Sequence, residues 1–177
     1  MMGAAGTHSL PSISHTGSAG CNAGDTADGS RGRMLTLSRA VWEALRGHGE
    51  EAYPAECCGA LLGQPVEDGW RVRAMLRARN ASAGRERKRY EIAPEELVAL
   101  AGEARRRGLE IAGFYHSHPD HPPTWSATDL AEAHWPGCCY VITEVAQGRA
   151  VETRAYLLAG TVEEDKRFAP EELRVEA

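Results

Sequence analysis

Glu110-Ile111-Ala112-Gly113-Phe114-Tyr115-His116-Ser117-His118-Pro119, with its continuation to Asp129, decides how this chain is read. Leu109, Ile111 and Phe114 mark a short buried strand that runs out at His116-Ser117-His118-Pro119. Residues two apart on a strand share a face, so His116 and His118 aim both imidazoles at one point. Pro119 lacks an N–H and stops the ladder. A stiff loop follows, Asp120-His121-Pro122-Pro123-Thr124-Trp125, and then Ser126-Ala127-Thr128-Asp129 opens a short helix. Two histidines and a carboxylate converging in this way form a three-ligand metal site with an open position.

The chain around this stretch has 177 residues, enough for one domain with a core. Its net charge of −5 argues against nucleic acid as a partner. No apolar run has the length of a membrane span, and the N-terminus has neither a basic nor an apolar signal region. The cysteines are Cys21, the vicinal pair Cys57-Cys58 and the vicinal pair Cys138-Cys139. Their number is odd and no Cys-x-x-Cys occurs, so the expectation is a reduced, cytoplasmic chain.

Residues 1–33 are rich in Gly, Ala, Ser and Thr and are expected to be a disordered tail, with His8 and His15 solvated. The folded pattern begins at Met34, which is also a candidate translation start. Met34 to Leu37 alternates as a strand, and Ser38 caps a helix carrying Val41, Trp42 and Leu45 on one face. Glu56-Cys57-Cys58-Gly59-Ala60-Leu61-Leu62-Gly63 is a central strand after a single acid, and Trp70 to Arg79 is a strand with one wet face. Tyr90-Glu91-Ile92 reads as a short strand. Pro94, Glu95, Glu96, the arginines 105 to 107 and Gly108 frame a helix with Leu97, Ala101 and Ala104 inward. Cys139 to Thr143 and Ala150 to Leu158 form a hairpin about Gln147-Gly148, and the acidic C-terminal stretch adds an edge strand or a helix. The sum is an α/β (α+β) domain over 34–177, a mixed sheet flanked by about three helices.

Each piece of the constellation has a structural reading too. Ser126-x-x-Asp129 is a capping box pattern, and Glu56 is a strand-entry acid. The vicinal cysteines read as small buried core residues, and His121 as an exposed loop histidine. Arg77, Arg79, Arg85, Arg87, Lys88 and Arg89 cluster about one loop, which is either a solvated surface or a docking patch for an acidic protein. Two histidines and a carboxylate also suit non-haem iron, although the usual spacing there differs. A zinc deaminase needs His-x-Glu and Cys-x-x-Cys, and neither occurs.

Taken together, Glu56, His116-Ser117-His118-Pro119, Ser126 and Asp129 resemble the motif of the JAMM (MPN-plus) metalloproteases. Glu56-Cys57-Cys58-Gly59 and Gly113-Phe114-Tyr115 resemble the bacterial branch that acts on ubiquitin-like sulfur-carrier proteins. The resemblance covers most of residues 34 to about 160 and implies a cytidine-deaminase-like α/β fold. It also implies a single catalytic zinc ion held by His116, His118 and Asp129. Glu56 is implied as the base and proton shuttle, and Ser126 as the oxyanion donor. The implied reaction is cleavage after the Gly-Gly tail of the carrier, releasing cysteine or trimming extra residues. The alternatives are a non-catalytic scaffold of the same fold, against which the presence of all five motif residues speaks, and a metal hydrolase acting on another peptide substrate.

Overall fold

The structure is a computed structural model that describes residues 33–177 apart from 83 and 161, and a strand, Met34–Ser38 (β1), is the first element among them. The expected tail and the start at Met34 concern residues outside the described ones. Helix α1 (Arg39–Ala52) follows directly, because the Ser38 hydroxyl accepts from the Val41 N–H and caps it. Strands β2 (Cys58–Val66) and β3 (Gly69–Ala78) form an antiparallel pair. Helix α2 (Pro94–Arg106) has Pro94 at its start, acids in its first turn and arginines in its last, each favourable at its end of the helix dipole. Its inner stripe is Leu97, Leu100, Ala101 and Ala104. Then come β4 (Glu110–Pro119), the short α3 (Ala127–Glu132), β5 (Cys139–Ala146), β6 (Arg149–Ala159) and β7 (Arg167–Glu176). The β5–β6 turn falls at Gln147-Gly148 as expected, with φ of 50° and 80°.

The strands run in the order β1-β3-β2-β4-β5-β6-β7 and close into a barrel. This corrects the expected cytidine-deaminase-like domain built on a mixed sheet flanked by about three helices. The mixed strand directions and the three α-helices are present, but the sheet has no open end. Closure comes from β7, which pairs antiparallel with β6 and parallel with β1, Met34 opposite Glu172 and Leu37 opposite Val175. The C-terminal stretch is therefore not an edge strand. The extended segment Tyr90–Ile92 joins no ladder among the described residues, contrary to the short strand expected there. No helix among the described residues is long and apolar enough to cross a membrane.

Strand β4 lies between β2, antiparallel, and β5, parallel. It is buried on both faces, which explains its nearly continuous apolar run. Its alternation divides two environments. Tyr115 meets α1 through His48, and the Ser117 side chain lies beside Gly49 of that helix. Phe114 packs on Trp135 and Tyr140, while His116 stacks against Tyr90. Helix α2 also covers β4. Gly59 on β2 is required by this packing: a Cβ there would lie 2.1 Å from the Leu76 carbonyl oxygen and 2.5 Å from the Tyr115 ring.

Cys57, Cys58 and Cys139 are free and buried, as expected of core residues. Cys138 is disulfide-bonded, so the reading of a wholly reduced chain does not hold for it.

Candidate metal centre and active site

The end of β4 and the start of α3 bring three ligand-type side chains together. His116 Nε2 and His118 Nε2 lie 3.0 Å apart. Asp129 Oδ1 is 3.4 Å from the first and Oδ2 is 3.6 Å from the second. This His-His-Asp group is the one among the described residues with an arrangement able to hold a metal ion. His118 Nδ1–H donates to the Pro122 carbonyl at 2.9 Å, which leaves Nε2 as the free lone pair. His116 Nδ1 has no hydrogen-bond partner among the described residues. Its ring is held instead by the Tyr90 face, with centroids 4.4 Å apart.

The loop between the strand and α3 is pinned. Asp120, at a φ of 56°, accepts from Tyr53 Oη–H at 2.9 Å and from the Gln147 N–H at 2.8 Å. Tyr156 donates to the Pro123 carbonyl at 2.8 Å. These bonds carry the chain from His118 to Asp129 along one fixed path.

Asp129 also completes the capping box. Its Oδ2 accepts from the Ser126 N–H at 2.6 Å, and its own N–H donates to Ser126 Oγ at 3.1 Å. The structural and functional readings of Ser126-x-x-Asp129 thus hold together: one carboxylate caps the helix and faces both imidazoles. The Ser126 hydroxyl accepts from the backbone and keeps its own proton to donate elsewhere.

Electrostatics follow from burial and neighbours. Burial opposes ionisation of Asp129, but both imidazoles and the Ser126 N–H hold it well below the usual carboxylate range. At His116 burial prevails over the carboxylate and the pKa is lowered. Burial also pulls on His118, yet Asp129 and the Pro122 carbonyl outweigh it and the pKa is raised. Glu56 is only 7% exposed. Burial, with Asp129 and Glu132 nearby, pushes it up to about 7 against the opposing pull of His118.

Glu56, His118, Ser126 and Asp129 line a single cleft of about 570 Å³, with Arg87, Lys88, His121, Pro122, Thr124 and Trp125. His116 sits behind it, fully buried. All five residues marked in the sequence therefore meet in one place, and exposed His121 stands at its rim. A separate, more apolar cavity of about 340 Å³ lies on the other side of Tyr90, bounded by Phe114, Leu97 and Trp135.

Sequence reasoning missed Asn80. Its Nδ2 donates to the Glu56 carbonyl at 3.1 Å and to the Arg89 carbonyl at 2.9 Å. Its Oδ1 accepts from the Ser82 N–H and hydroxyl and from the Glu91 N–H. The Glu56 N–H in turn donates to the Glu86 carbonyl at 2.6 Å. One amide thus ties the backbone of Glu56 to the loop over the cleft. The available signal was Asn80-x-Ser82 directly after a strand, the pattern of an Asx-turn. Tyr90 was missed as well, and nothing in its local sequence marks it as a partner of His116.

Residues 38–159 match the family described as prokaryotic homologs of the JAB domain. The chain is 38% identical over 112 residues to a desampylase of Haloferax volcanii, covering 61% of this chain and 78% of that protein. It is 30% identical over 96 residues to a desampylase of Pyrococcus furiosus, covering 54% and 64%. Its fold is similar to the solution structure of a protein from Desulfitobacterium hafniense, with a TM-score of 0.70, 26% identity and coverage of 81% and 93%. It is also similar to that of a protein from Salinibacter ruber, with a TM-score of 0.62, 37% identity and coverage of 80% and 91%. The matched segment contains the whole His-His-Asp site together with Glu56 and Ser126, and the chain belongs to the prokaryotic JAB-domain homologues, a family of the JAMM/MPN type.

Proposed function

We propose that this protein is a zinc-dependent peptidase or isopeptidase that hydrolyses the bond after the C-terminal Gly-Gly of a small ubiquitin-like sulfur-carrier protein. The observation that carries the reading is the meeting of His116, His118 and Asp129 beside Glu56 and Ser126 in one cleft. The similarity to two desampylases supports a protein substrate of the ubiquitin-like kind.

The donor set fits zinc. Ligands about 2.0–2.1 Å from a tetrahedral ion stand about 3.3 Å from one another, and the three donors here are separated by 3.0, 3.4 and 3.6 Å. Bound there, zinc supplies Lewis acidity and makes hydroxide available near neutral pH. Glu56, with its pKa near 7, accepts the proton of the attacking water and passes it to the leaving amine. The Ser126 O–H donates to the oxyanion that forms at the carbonyl. The pinned Pro-rich loop and Tyr90 hold the ligand side chains in place before substrate arrives.

The Gly-Gly tail has no side chains and threads the cleft as an extended segment. The barrel is closed and leaves the tail no complete free edge strand to pair with, so the cleft walls hold it. A cytoplasmic setting belongs to the same reading. The free thiols of Cys57, Cys58 and Cys139 support it, and the disulfide at Cys138 does not.

The test is hydrolysis of a Gly-Gly-ended carrier bearing a C-terminal cysteine or short extension, followed by intact mass with and without a chelator. Chelator-sensitive loss of the added mass just after Gly-Gly is expected. A zinc-loaded protein that leaves the adduct intact would remove this substrate.

A further inference from the structure

We propose that Arg87 and Lys88 form a carboxylate subsite that selects substrates whose released residue carries a free α-carboxylate, so that a terminal residue is preferred over an isopeptide-linked lysine. The inference rests on the hydrolytic reading above and names the leaving group for that site.

The basic cluster seen in the sequence does not act as one patch. Arg77 pairs with Glu51 beside α1, and Arg89 pairs with Glu132 of α3. Arg87 and Lys88 form no ion pair with a carboxylate among the described residues, and both line the cleft that holds Glu56, Ser126 and Asp129. Asp120 is within electrostatic reach of Arg87 but forms no ion pair with it, its carboxylate accepting instead from Tyr53 and the Gln147 N–H. A chain of net charge −5 thus presents, at its candidate catalytic centre, two cations that no carboxylate among the described residues holds in an ion pair. The loop that carries them is held in place by Asn80, by the Glu56–Glu86 backbone bond and by the turn from Lys88 N–H to the Arg85 carbonyl. Their backbone is therefore placed relative to the base.

The chemistry then narrows the anion. Hydrolysis adds hydroxyl to the acyl carbon and hydrogen to the leaving nitrogen. The α-carboxylate of a terminal residue is two bonds from that nitrogen, so it must lie within the same cleft. A lysine in an isopeptide bond offers no carboxylate at that distance, and an acidic side chain on the surface of a folded carrier does not reach it. Arginine binds a carboxylate through two parallel N–H bonds, and lysine adds a point charge.

The experiment compares a carrier ending in Gly-Gly-Cys with a free carboxylate against the same carrier ending in the amide. Both kcat/KM of the zinc-loaded enzyme and Kd for zinc-loaded Glu56→Gln protein are measured. The acid is expected to be favoured about ten-fold or more, the scale of one charge-assisted contact. The double variant Arg87→Gln/Lys88→Gln should bring the two substrates within about two-fold, with unchanged zinc content and thermal midpoint. Arg85→Gln, on the same loop but not lining this cleft, should keep the preference. Equal treatment of acid and amide by the unmodified enzyme, binding of neither, or a preference that survives in the double variant would overturn the subsite. The Kd ratio is read without turnover, so a failure of hydrolysis counts against the proposed reaction and a failure of discrimination counts against this inference.

Discussion

Asp129 Oδ2 accepts from the backbone N–H of Ser126 at 2.6 Å while the same carboxylate faces His116 and His118. Helix capping and the proposed metal ligation thus fall to one side chain. Asp129→Asn keeps an acceptor for the cap but loses the charge that the imidazoles need. It is expected to fold with a thermal midpoint near that of the parent and to lose zinc. Asp129→Ala should lose zinc and about 1 kcal/mol of stability in addition. Zinc titration beside thermal melts separates the two effects, and an Asn variant with parental zinc affinity would contradict the shared role.

Ser126→Ala removes the other half of the box and the proposed oxyanion donor. Turnover should fall about 100-fold or more, and stability by about 1 kcal/mol, with zinc retained. Ser126→Thr restores the hydroxyl and should recover the stability. Single-turnover rates of the two variants check this.

Asn80 acts on Glu56 through the backbone. In Asn80→Asp the bonds to Ser82 and Glu91 persist, but the N–H donors to the Glu56 and Arg89 carbonyls are lost. A stability loss of about 1–3 kcal/mol is expected, with kcat lowered at unchanged zinc content. A parental kcat would show that the loop does not position the base.

His48 gives the fold a pH dependence outside the candidate metal centre. Its Nδ1 accepts from the Tyr115 hydroxyl at 2.8 Å. Burial, with Arg77 nearby and Glu51 opposing, lowers its pKa from 6.5 to about 4. The unfolded chain therefore binds the proton first as pH falls through 6.5, and the folded state is disfavoured until its own pKa near 4 is reached. After allowance for partial exposure the loss is about 2 kcal/mol. His48→Asn keeps an acceptor for Tyr115 and removes the titration. The difference in unfolding free energy between parent and variant should shrink or reverse from pH 7 to pH 4, and a difference flat with pH would contradict the assignment. Taking the difference cancels the opposite contribution of Glu56, whose raised pKa favours the folded state as pH falls from about 7 towards 4.5.

Much of the site was legible because it is local. His116 and His118 are two residues apart on a strand, and Ser126 and Asp129 are three apart at a helix start, so the period of each element fixes their directions. Glu56 required the resemblance to a known motif, since its position depends on the β2–β4 register. Barrel closure was not legible. Only Phe168 of β7 is buried, the strand contains Pro170, and its charged alternation fits an edge or a helix as well as a closing strand. Its pairing with β1 joins residues near opposite ends of the domain. Asn80 and Tyr90 escaped for a related reason: each acts on a partner brought near by the fold rather than by sequence spacing.

The most direct test of the central claim is turnover by zinc-loaded Glu56→Gln beside the parent protein, with zinc content measured on the same samples. One zinc per chain in both, and a rate lower by about 100-fold or more in the variant, is the expected result. An active Glu56→Gln variant, or a parent protein that binds no zinc, would contradict the account.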